Sequence, residues 1–280
     1  MGCYEELLAY PEIAAVYISV PNGLHGEWAI KSLQAGKHVL LEKPFTSNGL
    51  EARRVFEEAE RCGKIVVEAF HWQFHPAAHV VKSLIASGKF GDIKRTFART
   101  TIPKGTIPGS DIRWRCSLGG EVSTATFEEH NKDKRVDSAL WADLLFDLEG
   151  GKTVDPKIYM DMNQPHLAVV IPRAWELPSI EIECEKATIY FYNHMMPHLF
   201  HYISIYDKVT KHTTYQKYYN YGPKCDPHWS TYSQRTGTQT LNSITPEDSI
   251  AQMETIDALY LKNGIGVRLV MGELDPASAD

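Results

Sequence analysis

Short apolar runs alternate with helical patterns through the first 70 residues, and this alternation constrains the fold more than any other feature of the chain. The runs are short and rich in β-branched residues, which is typical of buried parallel strands. Helices are predicted between them over 24–35 and 48–62, with Ser47 as the expected N-cap of the second. The predicted strands are 14–20, 38–41 and 65–67. The pattern therefore predicts an α/β fold with a parallel, Rossmann-like sheet.

The texture changes after about residue 90. Long stretches rich in Thr, Tyr, Ile and Val, such as 94–101, 138–148 and 179–185, favour an open, mainly antiparallel sheet. One late helix is indicated by the cap Thr245 and the following Pro246. We therefore expect a partial dinucleotide-binding (Rossmann) domain over 1–90 and an α+β substrate and dimerisation domain over 91–280.

Composition excludes several classes of protein. The formal net charge is −6, which argues against a nucleic-acid partner, and no segment has the length and apolar character of a membrane span. The five cysteines are odd in number, scattered and without a Cys-x-x-Cys pair, which favours reduced thiols and a cytoplasmic location. The hydrophobic fraction of 43% is that of a globular protein.

Two polar loops follow neighbouring predicted strands. Pro21-Asn22-Gly23-Leu24-His25 comes after the first strand, and Glu42-Lys43-Pro44 after the second. Ligands of a parallel α/β sheet bind at the carboxyl ends of its strands. These loops are therefore the candidate cofactor site.

Longer stretches carry a specific resemblance. The segments 11–44, 68–76, 88–93, 226–232 and 246–257 resemble the glucose–fructose oxidoreductase / inositol dehydrogenase / rhizopine catabolism (Gfo/Idh/MocA) family. Within it the texture is similar to the D-xylose dehydrogenase and dimeric dihydrodiol dehydrogenase branch. The resemblance implies hydride transfer between the nicotinamide of NADP or NAD and a carbinol carbon of a sugar or polyol.

The resemblance also implies roles for particular residues. Lys43 would be catalytic, its ammonium favouring deprotonation of the reacting hydroxyl, and Glu42 would orient it. For His25 an equal alternative is a histidine at a helix start that bonds to backbone. The implied cofactor-binding residues are Pro21, Asn22, His25, Glu42, Lys43, Pro44, His71 and Trp72.

Other candidates are less specific. Asp111 and Arg113 are candidates for contacts with sugar hydroxyls, and a surface ion pair is the alternative. His71, His75 and His79 are spaced at fours, but Pro76 separates His71 from the helix that follows, so we expect no metal site.

Two departures from the family bear on activity. No Gly-x-Gly-x-x-Gly occurs among the 19 glycines, and in relatives that turn lies in a part on the order of 60 residues long, upstream of Met1. The second-domain motif that supplies an acid or base breaks off after Leu118-Gly119-Gly120. The alternative function is therefore a catalytically impaired, truncated relative that acts as a binding or scaffold protein, or a gene-model fragment.

Association is expected at two places. Without a preceding strand, Val16–Val20 would form an uncovered sheet edge. The second domain is rich in aromatics, which alternation alone assigns either to a buried face or to a homodimer interface. They are Tyr190, Phe191, Tyr192, Phe200, Tyr202 and Tyr206. The expected partners are thus a sugar or polyol and a second copy of the chain, with no nucleic acid and no membrane.

Overall fold

The computed structural model describes residues 4–70, 74–103, 121–129, 137–148, 152–154, 156–168, 173, 176–221, 226–227 and 244–264. The chain divides into two compact units. Unit 1 comprises Met1–Phe70, Ser117–Gly120 and Ile244–Asp280, and unit 2 comprises His71–Cys116 and Glu121–Ser243. Within the described residues, no helix is both long and apolar enough to span a membrane.

Unit 1 contains a three-stranded parallel sheet in the order β1-β2-β3. Helices connect the strands, so the predicted α/β alternation is confirmed. The elements are α1 (Tyr4–Leu8), β1 (Ala15–Ile18), a 3₁₀ turn (Asn22–Leu24), α2 (His25–Gln34), β2 (His38–Glu42), α3 (Gly49–Cys62), β3 (Val66–Ala69) and, from the far end of the chain, α5 (Pro246–Lys262).

The start of α3 differs from the sequence prediction. Asn48, not Ser47, is the N-cap: its side chain accepts the backbone N–H of Glu51 at 2.8 Å. The Ser47 backbone N–H instead donates to the Glu51 carboxylate at 2.8 Å. Asn48 takes the cap because it is the extended residue immediately before the first helical residue, Gly49. At the start of α5, the predicted Thr245 cap is confirmed and forms a capping box with Asp248.

Helices α3 and α5 are tied together at the α3 N-terminus. The Gly49 backbone N–H donates to Asp257 Oδ2 at 2.7 Å, and Arg53 Nε donates to Glu254 Oε1 at 2.8 Å. A carboxylate at this position satisfies an N–H that has no partner within the helix and complements the helix dipole. Ser249 of α5 bonds to the sheet, because its hydroxyl donates to Glu68 of β3 at 2.6 Å.

The sheet of unit 1 is buried on one face and open on the other. Val39 and Leu41 of β2 are buried, whereas Tyr17, Ile65 and Val67 are 56%, 62% and 41% exposed. The burial expected for the whole of the first strand, 14–20, therefore holds for Ile18 and in part for Val16 and Val20. Within the described residues β1 pairs with β2 alone.

Unit 2 is built on a nine-stranded sheet in the order β12-β11-β10-β9-β4-β8-β6-β5, with β7 paired to β6. All neighbours are antiparallel except β4 and β8, so the predicted mainly antiparallel sheet is confirmed. Its strands are β4 (Ile93–Pro103), β5 (Glu121–Glu129), β6 (Asp137–Leu148), β7 (Lys152–Val154), β8 (Pro156–Gln164), β9 (Ser179–Cys184), β10 (Ala187–Tyr192), β11 (Tyr202–Asp207) and β12 (Thr213–Gln216). A separate pair joins β13 (Asn220–Tyr221) to β14 (Asp226–Pro227).

Helix α4 (Pro76–Ala86) covers one face of this sheet, with Ala77 and Val81 in a core that includes Ile189 and Phe191. The aromatics predicted for this sheet divide between its faces. Phe191 is 2% exposed and Tyr206 is 37% exposed, as strand alternation requires. Tyr192 and Tyr202 stack at 4.9 Å between ring centroids.

Packing between segments distant in sequence assigns two helices to their units. Helix α4 belongs to unit 2, because its apolar side chains are buried against the antiparallel sheet. Helix α5 belongs to unit 1, because it packs on α3. The two-domain boundary at residue 90 stays a prediction.

Candidate functional site

The carboxyl ends of β1 and β2 bring the two polar loops side by side in unit 1. Ile18 is paired with Leu41 in the parallel register, so the residues after each strand leave the sheet at the same edge. The second loop contains a cis peptide between Lys43 and Pro44. The edge therefore collects most of the residues that the sequence singled out.

His25 is buried at 2% exposure, at the start of α2. Its Nε2 lies 2.9 Å from the Val20 carbonyl oxygen. Its Nδ1 lies 3.0 Å from the carbonyl oxygen of Pro44 and 3.3 Å from that of Phe45. This is the backbone-bonding arrangement given as the alternative for His25.

Asn22 joins the same two loops. In the orientation that satisfies both groups, its side-chain nitrogen lies 3.1 Å from the Pro44 carbonyl oxygen and 3.2 Å from that of Thr46. Pro21, immediately before it, is exposed at the rim of the edge. The amide thus serves the protein backbone in this arrangement.

Glu42 is held on both sides of its carboxylate. Oε1 accepts the Tyr17 hydroxyl, and Oε2 accepts the Lys43 backbone N–H at 3.0 Å. Glu42 therefore orients the Lys43 main chain. The Lys43 side chain is exposed, and Nζ makes no hydrogen bond or ion pair with the part of the chain that the structure describes.

Glu68, in β3, was not among the residues found by sequence reasoning. It is 4% exposed and accepts the Ser249 hydroxyl at 2.6 Å. Burial raises the pKa of its carboxyl, and Ser249, the Phe45 backbone and the Lys43 charge oppose that rise. A glutamate placed between the apolar run Ile65-Val66-Val67 and the apolar pair Ala69-Phe70 was the available signal.

Four predicted residues lie outside the described part of the chain: His71, Trp72, Asp111 and Arg113. Their roles stay predictions. His75 caps α4 by accepting the Ala77 backbone N–H at 3.2 Å. Among the residues with described positions, no group of three or more His, Cys, Asp or Glu side chains could hold a metal ion.

This edge of the sheet presents the exposed ammonium of Lys43, the exposed ring of Pro21 and the loop that follows β2. These features fit the nicotinamide end of a dinucleotide, which needs a cation near the reacting oxygen and a flat, partly apolar wall. A pyrophosphate requires a turn of backbone N–H groups at a helix N-terminus. The described loops at this edge contain no Gly-x-Gly-x-x-Gly turn.

Comparison with known proteins identifies a family that matches the first part of the chain. Residues 3–70 match the family described as "Oxidoreductase family, NAD-binding Rossmann fold". The match confirms the resemblance drawn from the sequence. It also confirms nicotinamide dinucleotide as the cofactor type of the matched family.

Curated relatives match part of the chain. A dTDP-3,4-didehydro-2,6-dideoxy-alpha-D-glucose 3-reductase of Saccharopolyspora spinosa is 39% identical over 117 residues, which is 42% of this chain and 35% of the relative. The D-xylose 1-dehydrogenase (NADP(+)) 2 of Haloferax volcanii is 44% identical over 86 residues, 31% of this chain and 26% of the relative. The matched region thus spans about a third or less of these relatives.

The fold extends the likeness over the chain. A 3-ketoreductase from Actinomadura kijaniata, solved with NADP and TDP-benzene, superposes with a TM-score of 0.67 at 22% identity. The match covers 94% of this chain and 82% of that chain. At this identity the likeness establishes the fold, which confirms the fold class predicted from the sequence.

Proposed function

We propose that the chain is an NAD(P)-dependent oxidoreductase acting on a sugar or polyol carbinol, in the manner of D-xylose dehydrogenase. The match of residues 3–70 to this oxidoreductase family supports the proposal. The observation that carries the proposal is Lys43, an exposed lysine presented at the carboxyl edge of the parallel sheet by a loop whose main chain Glu42 holds.

A bound nicotinamide supplies or accepts the hydride. Lys43 acts on the oxygen of the same substrate carbon. In the reducing direction, its ammonium stabilises the negative charge that develops on the carbonyl oxygen and donates a proton from Nζ to the resulting alkoxide. Because Lys43 is exposed, Nζ regains its proton from water. In the oxidising direction the proton moves back from the hydroxyl to Nζ.

The remaining site residues have supporting roles in this proposal. Pro21 and Pro44 line the cofactor at the rim of the edge, and His71 and Trp72 contact its nicotinamide side. Asp111 and Arg113 contact substrate hydroxyls. These last four assignments rest on the resemblance. NADP is proposed rather than NAD because the Haloferax volcanii relative is an NADP(+)-dependent D-xylose 1-dehydrogenase.

The open face of the unit 2 sheet supports a homodimer. It exposes Tyr206 and Tyr215, at 37% and 69%. The same face carries side chains of positive and negative charge in ion pairs: Arg95 lies 3.0 Å from Glu183, and Lys157 lies 3.1 Å from Asp143. A surface with paired charges of both signs can meet its own copy across a two-fold axis. Sedimentation equilibrium tests this proposal, and a monomer at every concentration contradicts it.

The scattered cysteines support a cytoplasmic location.

A catalytically impaired relative that acts as a binding or scaffold protein is the second candidate. The second-domain motif that breaks off after Leu118-Gly119-Gly120 favours it, because loss of a general acid or base typically lowers a rate by about 10²–10⁴-fold.

Titration of the 280-residue chain with NADPH, followed by nicotinamide fluorescence, separates the two candidates. The enzyme proposal expects micromolar binding and turnover of a sugar. Lys43→Met should keep binding and lower kcat by about 10²–10⁴-fold, because it removes the proton donor. Lys64→Met, before β3, is the matched control and should retain kcat. No binding up to millimolar NADPH would contradict the enzyme proposal.

A further inference from the structure

Three consecutive peptide carbonyls in the β2–α3 loop all face one short segment of the neighbouring loop. The carbonyl oxygens of Pro44, Phe45 and Thr46 lie within 3.3 Å of nitrogens on Asn22 or His25. We propose that Asn22 and His25 are positioning residues, which hold these carbonyls and thereby fix where the Lys43 side chain leaves the sheet.

His25 has no nitrogen left for a ligand. Nδ1 faces the loop carbonyls and Nε2 faces the Val20 carbonyl, at 3.0 and 2.9 Å. A carbonyl oxygen only accepts, so each ring nitrogen must donate to form its bond. A neutral ring donates on one side and a protonated ring on both. In either state both nitrogens point into protein, and the ring is 2% exposed.

Asn22 complements the histidine from the same side. A side-chain amide carries two N–H groups, which match the carbonyls of Pro44 and Thr46 at 3.1 and 3.2 Å. Pro44 O therefore receives both side chains. Asn22 and His25, which the sequence analysis assigned to cofactor binding, thus bond through their side chains to the backbone of the β2–α3 loop that carries Lys43.

The loop is anchored from its other side by burial. Phe45 is fully buried and stacks on Phe56 at 4.6 Å between ring centroids. Thr46 is fully buried and donates from Oγ1 to the Asn48 carbonyl oxygen at 2.9 Å. Within 42–48 Lys43 is the exposed residue, so a loop fixed on both sides presents one ammonium at a set position.

Misplacing a catalytic group by about 1 Å can lower a rate on the order of 10²-fold. The inference rests on the proposed function for this effect on rate. It predicts a split between the kinetic constants. Asn22→Ala and His25→Phe should lower kcat by about 10²-fold, while the Kd for NADPH changes by less than about threefold.

His38→Phe is the matched control. His38 accepts the Ile65 backbone N–H at 3.0 Å, at the opposite end of β2 from Lys43. It also loses one backbone bond on substitution, and its kcat should stay within about twofold of the parent chain. A rise of tenfold or more in the Kd for NADPH with kcat unchanged, in folded Asn22→Ala or His25→Phe, would overturn the inference and make these residues cofactor ligands.

Hydrogen exchange tests the inference if the parent chain does not bind NADPH, the result that contradicts the proposed function. Exchange of the amides of Phe45–Asn48 should accelerate by about tenfold or more in Asn22→Ala and in His25→Phe, but not in His38→Phe. Unchanged exchange in a folded variant overturns the inference. Asn22→Ala, at a half-buried position, keeps the test available if His25→Phe does not fold.

Discussion

The Glu51 side chain occupies the space that a side chain at Gly26 would need, and the effect of this overlap on stability can be measured. A Cβ added at Gly26, in the first turn of α2, would lie 2.3 Å from Glu51 Oε1 and 2.4 Å from its Cγ. Real side chains do not tolerate such contacts, so Gly26→Ala must displace the Glu51 side chain. Glu51 is 8% exposed and accepts the buried Ser47 N–H at 2.8 Å.

The cost of the displacement follows from these contacts. Leaving the Ser47 N–H without its acceptor costs about 1–3 kcal/mol, and crowding of a packed site adds about 1–3 kcal/mol. The better helix propensity of alanine returns roughly 1 kcal/mol. Gly26→Ala should therefore lower the free energy of unfolding by about 1–5 kcal/mol, as measured by urea denaturation followed by circular dichroism.

A double-mutant cycle isolates the mechanism. Glu51→Ala removes the side chain that the new methyl group would strike, so Gly26→Ala in that background should be neutral or stabilising by up to about 1 kcal/mol. Gly63→Ala is a control for loss of a glycine without crowding, because its Cβ would meet nothing within 4 Å, although its φ of +60° adds backbone strain. Equal destabilisation by Gly26→Ala in both backgrounds would refute the reasoning.

Two further predictions concern pH. Burial lowers the pKa of His194 from 6.5 to about 4, so the unfolded chain binds more protons than the folded chain below pH 6.5. About 3 kcal/mol of stability should therefore be lost as the pH falls to 4. Urea unfolding of His194→Gln should show a smaller loss, and an identical loss contradicts the assignment. Burial raises the pKa of Glu68, so its ionisation should cost stability as the pH rises through the folded-state pKa. Glu68→Gln, which keeps an acceptor for Ser249, should match the parent chain near pH 4 and exceed its stability at pH 8, and no gain at pH 8 would contradict it.

The sequence predicted the elements of unit 1 well because their signals are local. Residues 15–18, 38–42 and 66–69 are short β-branched runs, and Gly36 and Gly63 adopt the positive φ that ends the helices before them. The cap of α3 was misplaced by one residue because Ser47 and Asn48 are both good caps. Only the backbone geometry distinguishes them.

The site was predicted in position but not in its internal bonding. Strand order places the loops of Asn22 and Lys43 together, so their proximity follows from sequence. Which side-chain atoms face which carbonyls depends on how α2 packs beside the loop, and no local pattern encodes that. Glu68 was missed for a related reason: its partner, Ser249, is 181 residues away in the chain.

The hydrogen bonds between α3 and α5 determine the order in which the units can complete their contacts during synthesis. Gly49 and its acceptor Asp257 are 208 residues apart, and the whole of unit 2 lies between them in the sequence. At about 5–20 residues per second, α3 leaves the ribosome roughly 10–40 s before the helix that ties down its first turn. Glu68 precedes its partner Ser249 by 181 residues, so its carboxylate is made roughly 9–36 s before that hydroxyl. Unit 2 is complete in the nascent chain first, so the amino-terminal unit, although made earlier, is the last to reach its native contacts.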